Sequence, residues 1–270
     1  MLAVVKYGAT VFLWRLPEKL RLVTLDVGQG DAVLLEIPKS NVQILFDGGP
    51  DSGIIDKLMS VLPPGDRTID VIVLTHPHDD HLQGILDLLD VYRAGLIIET
   101  GATSDSPAGI VFKERIQELD IPVLKAIRGQ KIFFGGSSSI TVLHPFLAHD
   151  AEFDNINDSS IVALVEHRGQ HIFLTGDLET TGEKEMFAYI QSHGLEDAMQ
   201  SSVIKIAHHG SRTGTSDKLL EMVDPKKAIV SSGKDNKFGH PHEETLKKLK
   251  ERGIEIRRTD KEGDIIMEID

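Results

Sequence analysis

Four good cation ligands, His76, His78, Asp80 and His81, fall within one short run, Thr75-His76-Pro77-His78-Asp79-Asp80-His81. Imidazole and carboxylate together suit zinc, manganese or iron. His76 and His78, two residues apart on an extended segment, can point the same way. Asp80 and His81 stand where the next helix starts and can serve a second ion nearby. A lone histidine would read as a solvated turn, but this spacing is that of a metal site. Asp177 ends the apolar strand in Phe173-Leu174-Thr175-Gly176-Asp177, where one carboxylate can bridge two cations. The same residue would also cap the helix that follows. Ile206-Ala207-His208-His209-Gly210-Ser211 again puts histidines where an apolar strand stops. In Gly239-His240-Pro241-His242 the proline also suits the first turn of a helix, with His240 as its exposed neighbour. Asp47, before Gly48-Gly49, is placed to hold a ligand histidine through its other ring nitrogen, or else to make a turn. The remaining histidines, His144, His149, His167, His171 and His193, lie singly and read as structural or surface residues.

These motifs need rigid elements behind them. Strands are expected at 21–26, 32–37 and 42–46, the last stopped by Asp47-Gly48-Gly49-Pro50. Residues 52–62 have helical spacing and end at Pro63-Pro64-Gly65. The continuous apolar run 69–74 predicts a strand buried on both faces, delivering His76 at its end. Helices are expected at 82–91, 110–119, 180–191, 216–222 and 243–252. Strands are expected at 96–99, 123–126, 140–143, 161–165, 171–174, 203–207, 228–230, 254–258 and 264–269. Strand-rich stretches carrying helices in both halves imply two sheets face to face with helices outside, a four-layer αββα sandwich. It is read as one domain over 20–270. Residues 1–19 form an apolar stub, with Lys6 and Gly8 inside it, shorter than a spanning helix needs. The stub lacks a basic leader, so a first strand or helix, or a membrane-proximal piece, is expected there.

The chain of 270 residues can bury a sizeable core. With 29 basic and 42 acidic side chains its formal charge is -13, which repels polyanions at long range and weighs against a nucleic-acid coating protein. A nuclease is compatible with that charge, because bound cations reverse the local field. The absence of cysteine excludes disulfides, thiolate metal sites and a cysteine nucleophile, and leaves the compartment open.

In the order of Asp47, the His76 cluster, Asp177 and His208, the sequence over 20–270 resembles the metallo-β-lactamase fold superfamily. Leu25-Asp26-Val27-Gly28-Gln29-Gly30-Asp31-Ala32, Ala207-His208-His209-Gly210-Ser211 and Gly239-His240-Pro241-His242 resemble, more closely, the lactamase-like domain of the ComEC competence proteins that import DNA. The resemblance implies a phosphodiesterase, a DNA nuclease with two divalent ions, zinc or manganese, at one edge of the sandwich. His76, His78, Asp80, His81, Asp177 and His208 would be ligands, with Asp80 also orienting the attacking hydroxide. Whichever of His208, His209 and His240 is not a ligand can protonate the leaving oxygen. Ser211, Arg212 and Thr213 can hold a phosphate, Arg212 bidentately. Lys234 and Lys237 make the loop before His240 locally basic.

Two departures from the family bear on the site. Many ComEC domains carry an acidic residue where His78 stands, so the fuller histidine pattern here favours a binuclear centre. The superfamily's usual third histidine before the Asp177 strand has no counterpart in Asp154-Asn155-Ile156-Asn157-Asp158-Ser159-Ser160, where Asn157 or Asp158 replaces it or one ion has a weaker shell. The membrane channel of ComEC is absent, so the sequence reads as an excised domain or a stand-alone relative that partners such a channel. The competing readings are a small-molecule hydrolase of lactonase, β-lactamase or thioesterase type, and a non-catalytic module of a DNA-uptake machine.

Overall fold

The computed structural model describes residues 17–135, 137–145 and 153–270, together with the backbone of 2–7 and 10–15. Residues 1, 8, 9 and 16 of the apolar stub, and His149, lie outside the described residues. Strands β1 (Leu2–Tyr7) and β2 (Thr10–Arg15) pair antiparallel with each other in a two-stranded sheet.

Two seven-stranded sheets make the rest. In the first, β3 (Leu20–Thr24), β4 (Val33–Ile37) and β5 (Val42–Phe46) form an antiparallel meander. The sheet then turns parallel through β6 (Thr68–Val73), β7 (Arg93–Glu99) and β8 (Val123–Lys125). Helices α1 (Gly53–Val61), α2 (Asp79–Leu88) and α3 (Pro107–Glu118) make the crossovers that parallel strands require. The second sheet repeats the scheme. Strands β9 (Lys131–Phe133), β10 (Ser138–His144), β11 (Val162–His167) and β12 (Gln170–Leu174) are antiparallel. Then β13 (Val203–Lys205), β14 (Lys227–Val230) and β15 (Glu255–Arg258) run parallel to β12. Helices α4 (Thr180–Ser192), α5 (Asp217–Val223) and α6 (Glu243–Glu251) connect them, and a short α7 (Thr259–Glu262) follows β15. The last strand, β16 (Ile265–Ile269), returns to the first sheet beside β3.

The period of two along each strand divides its side chains between two cores. Leu22, Ile44, Phe46 and Val73 of the first sheet meet Val142, Ala163, Ile172 and Leu174 of the second in the central layer. Their neighbours Val23, Leu45 and Ile72 face α1, α2 and α3. Phe173, Ile204 and Ala228 face α4, α5 and α6 in the same manner. Both faces of these strands are therefore covered, which is why they read as unbroken apolar runs. This is the four-layer αββα sandwich expected from the sequence. Among the described residues no helix is long and apolar enough to cross a membrane.

Three local differences matter for the site. Helix α2 starts at Asp79, not Leu82, with His78 as its N-cap, so Asp79 and Asp80 sit in the first turn where the helix dipole favours carboxylates. Strand β13 stops at Lys205, earlier than the expected Ala207, because His208 and His209 both adopt left-handed backbone conformations, φ 48° and 53°. Strand β9 and helix α7 were not anticipated; at three and four residues they carry too little periodicity to read.

Candidate metal centre

Strands β5, β6, β12, β13 and β14 all release their chains at one edge of the sandwich. Asp47 follows β5, His76 follows β6, Asp177 follows β12 and His209 follows β13. The crevice beyond the carboxyl ends of parallel strands is where open α/β sheets bind ligands, and here two sheets contribute to one crevice.

Each buried histidine is fixed through Nδ1 and turns Nε2 inward. His81 Nδ1 donates to Asp47 Oδ2 at 2.8 Å, and His81 Nε2 stands 3.3 Å from Asp177 Oδ2. Asp47 also accepts from the Thr75 backbone N–H at 2.8 Å and from Thr75 Oγ1 at 2.7 Å. With its proton given to Asp47, Thr75 Oγ1 accepts from His76 Nδ1 at 3.1 Å. His76 Nε2 then meets His78 Nδ1 at 3.1 Å. His209 Nδ1 donates to the Ser231 carbonyl at 3.1 Å, with Asp31 Oδ1 3.3 Å away. His209 Nε2 lies 3.3 Å from both Asp80 Oδ2 and Asp177 Oδ2. A histidine pinned at one ring nitrogen, with the other bare and convergent, has the arrangement of a metal ligand.

His208 occupies a different position from its neighbour. It is 24% exposed, and its Nδ1 faces Glu179 Oε1 and Thr213 Oγ1, both at 3.2 Å. Its Nε2 is 4.0 Å from Asp177 Oδ2. The helix-capping alternative for Asp177 is taken by Asp158, whose Oδ1 accepts from the Glu179 and Gly182 N–H groups at the start of α4. Asn157 donates to Glu179 Oε1 at 3.0 Å while its own Oδ1 is buried without a hydrogen bond. His240 packs against the rim, its ring centroid 5.4 Å from that of His208 and 6.2 Å from that of His209. Ser211 is buried and its hydroxyl is engaged with Thr213 at 3.0 Å, which turns it into the loop. Arg212 is exposed, and its backbone N–H donates to His242 Nδ1 at 3.1 Å.

The sequence reading missed Asp31, Lys205 and Glu179. Lys205 is buried at the end of the apolar strand β13 and makes a short ion pair with Asp31 Oδ2. Its Nζ also reaches the Gly176 carbonyl at 3.2 Å and Asp177 Oδ1 at 3.8 Å. A charged residue inside Val203-Ile204-Lys205-Ile206-Ala207 was the available signal, since lysine is almost never fully buried unless paired. Asp31 could be brought near only by tertiary folding. Gly30 is required beside it, because a Cβ there would lie 2.3 Å from the Asp80 carbonyl.

The donor set fits a divalent cation. His81 Nε2, His209 Nε2, Asp31 Oδ1 and Asp177 Oδ1 are buried without hydrogen-bond partners among the described residues. His76, His81 and Asp177 converge as one possible ligand group, and Asp80, His81 and His209 as another. Burial opposes charge on His81, yet Asp177, Asp47 and Asp80 outweigh it and hold its pKa well above the imidazole range. Burial likewise opposes charge on His209, and Asp177 and Asp31 overcome it. Burial keeps His76 well below that range. The four carboxylates Asp31, Asp47, Asp80 and Asp177 outnumber Lys205, so the pocket demands additional positive charge, which a proton or a cation can supply.

The family model described as "Metallo-beta-lactamase superfamily" matches residues 25–234. ComE operon protein 3 of Bacillus subtilis (strain 168) is 29% identical over 258 residues, 89% of this chain and 32% of that protein. Competence protein ComA of Neisseria gonorrhoeae is 30% identical over 262 residues, 92% of this chain and 32% of that protein. The chain thus spans about a third of the length of these relatives. Zn(2+)-bound PqqB from Methylobacterium extorquens shares the fold, with a TM-score of 0.55 at 13% identity, over 89% of this chain and 88% of that one. The motif order, the two-sheet architecture and the family match agree, and the chain belongs to the metallo-beta-lactamase superfamily.

Proposed function

We propose that this chain is a metal-dependent phosphodiesterase that cleaves DNA, working beside a DNA-uptake channel, with two divalent ions, zinc or manganese. The observation that carries the reading is the convergence of His76, His78, Asp80, His81, Asp177 and His209 on one crevice edge. When bound there, divalent cations supply Lewis acidity toward a phosphoryl oxygen and lower the pKa of water enough to make it a nucleophile near neutral pH. His76, His78, Asp80, His81, His209 and Asp177 would hold the ions. His209 thus takes the ligand role that the sequence reading gave to His208.

The residues outside that set move the proton and seat the substrate. His208, partly exposed and oriented by Glu179 through Nδ1, presents Nε2 to the site and protonates the leaving oxygen. His240 has its pKa lowered to about 4 by burial and by His208 and His209, so at neutral pH it is uncharged and contributes contact, not acid. Exposed Arg212, Lys234 and Lys237 give an otherwise acidic protein a local basic rim for a polyanion. The likeness to Competence protein ComA supports DNA as the substrate. The test is a panel: protein loaded with zinc or manganese, offered single-stranded DNA, duplex DNA, a phosphodiester reporter and a lactone. Cleavage of DNA and reporter with weak or no lactone or β-lactam turnover is expected. Robust lactone hydrolysis without DNA cleavage under any metal overturns the reading in favour of a small-molecule hydrolase. Metal uptake without any turnover favours a non-catalytic module.

A further inference from the structure

Of the exposed aromatic side chains among the described residues, Phe133 lies on the edge strand β9, whereas Phe238 stands beside the candidate centre. Phe238 is 52% exposed and so contributes little to any core. Its ring stacks on His240 at 5.7 Å between centroids with an interplanar angle of 25°. Two ring-to-ring steps, 5.7 and 6.2 Å, therefore connect it through His240 to the ligand candidate His209.

The loop that carries Phe238 is braced, not slack. Asn236 Nδ2 donates to the Gly233 carbonyl at 2.9 Å and to the His240 carbonyl at 2.6 Å. Asn236 Oδ1 accepts from the backbone N–H of Phe238 at 3.1 Å and of His240 at 3.0 Å. Gln29 ties the loop to the opposite half of the molecule, accepting from the Gly233 N–H at 3.2 Å and approaching His240 Nδ1 at 3.5 Å. A single exposed apolar side chain is ordinary. One carried on a loop braced by the four hydrogen bonds of Asn236, at the mouth of a candidate catalytic crevice, is a preformed surface. Lys237 Nζ lies over the Phe238 ring, 5.1 Å from its centroid, and is itself exposed, so a base stacking on that face displaces the ammonium toward its attached phosphate.

We propose that Phe238 is a stacking platform for a nucleobase of single-stranded DNA, flanking the phosphodiester held at the crevice. Every base offers a π-face, so such a platform grips the strand without reading its sequence. An aromatic face with a neighbouring lysine is the combination that single-strand binding requires, a flat surface for the base and a cation for its phosphate. In a protein of net charge -13, base stacking also provides attraction that long-range electrostatics does not. The platform rests on the phosphodiesterase reading, and the experiment separates the two.

Cleavage of a short oligothymidylate is compared with cleavage of an abasic strand of equal length and charge, for the wild type, Phe238→Ala and Phe238→Tyr. The wild type is expected to show a KM for the abasic strand about tenfold above that for the oligothymidylate, the size of one stacked base. Phe238→Ala is expected to raise the oligothymidylate KM to the abasic value with kcat little changed, and Phe238→Tyr to restore the difference. An unchanged ratio of the two KM values in Phe238→Ala, with both strands still cleaved, overturns the platform and leaves the phosphodiesterase standing. Failure of every protein to cleave either strand overturns both. Impaired lactone turnover in Phe238→Ala, with DNA cleavage unaffected, overturns the nucleobase in favour of an apolar small substrate.

Discussion

Lys205→Met removes the lysine buried among Asp31, Asp47 and Asp177. The lysine is 3% exposed, ion-paired with Asp31, and has Nζ 3.8 Å from Asp177 Oδ1. Methionine fills similar volume but leaves Asp31 without its lysine partner, and breaking a buried pair in this way costs about 3–5 kcal/mol. For a domain of this size that lowers the melting temperature by on the order of 10 °C. The lysine also competes with any divalent ion for Asp177. At 3.8 Å and an effective dielectric of about 20, the lysine–aspartate attraction is about 4 kcal/mol. The variant is therefore expected to be less stable in EDTA, yet to gain more than the wild type when zinc or manganese is added. Asp31→Asn added to Lys205→Met should recover part of the loss, because the asparagine keeps an acceptor near His209 and removes the orphaned charge. Scanning calorimetry of the four combinations, with and without metal, checks this. Equal melting temperatures in EDTA, or equal gains from metal, would refute the buried-charge argument.

Further expectations concern α2, acid stability and proton donation. A Cβ on Gly84 would stand 1.9 Å from the Gly48 carbonyl, so Gly84→Ala must push α2 away from the Asp47 loop. A stability loss of about 3 kcal/mol and weaker metal binding are expected, since α2 carries Asp80 and His81; denaturant melts and metal titration read both. His144 is buried, donates Nδ1 to the Ser160 carbonyl at 3.0 Å, and burial lowers its pKa from 6.5 to about 4. The unfolded chain then takes up a proton that the folded chain refuses, so this contribution is complete above pH 6.5 and is lost as pH falls toward 4, about 3 kcal/mol in all. In EDTA, His144→Leu should be less stable at neutral pH but flatter through that window; parallel pH profiles would contradict the assignment. His208→Ala should lower kcat on DNA by about 10²–10⁴-fold, the usual worth of a general acid. The loss should shrink for a p-nitrophenyl phosphodiester, whose leaving group needs no proton, and an equal loss on both substrates would remove His208 from that role.

Much of this was legible in the sequence because the central strands are covered on both faces. Their apolar runs, 42–46, 69–74 and 171–174, announce themselves, and the polar residues at their ends are the ones the fold gathers. The different orientations of His208 and His209 were not legible. Both residues take left-handed backbone angles, and that local geometry, which adjacent side chains do not betray, turns His209 inward and His208 toward Glu179. Non-glycine residues held this way cost energy and persist where surrounding structure over-determines them. Asp31 meets Lys205 across 174 positions of sequence, and Gln29 meets His240 across 211. Such pairs depend on how the two sheets face each other, which no local pattern encodes. Phe238 was silent for the opposite reason, since an exposed phenylalanine in a loop carries no periodic signal.

The claim on which everything else depends is that the histidines and carboxylates at the crevice edge hold metal. Elemental analysis of protein dialysed against zinc or manganese and then desalted tests it directly, for the wild type, His76→Ala with His78→Ala, His209→Ala and His208→Ala. Up to two ions per chain are expected in the wild type and in His208→Ala, with about one fewer in the paired variant and in His209→Ala. The same metal content in all four proteins, or none in the wild type, would contradict the account.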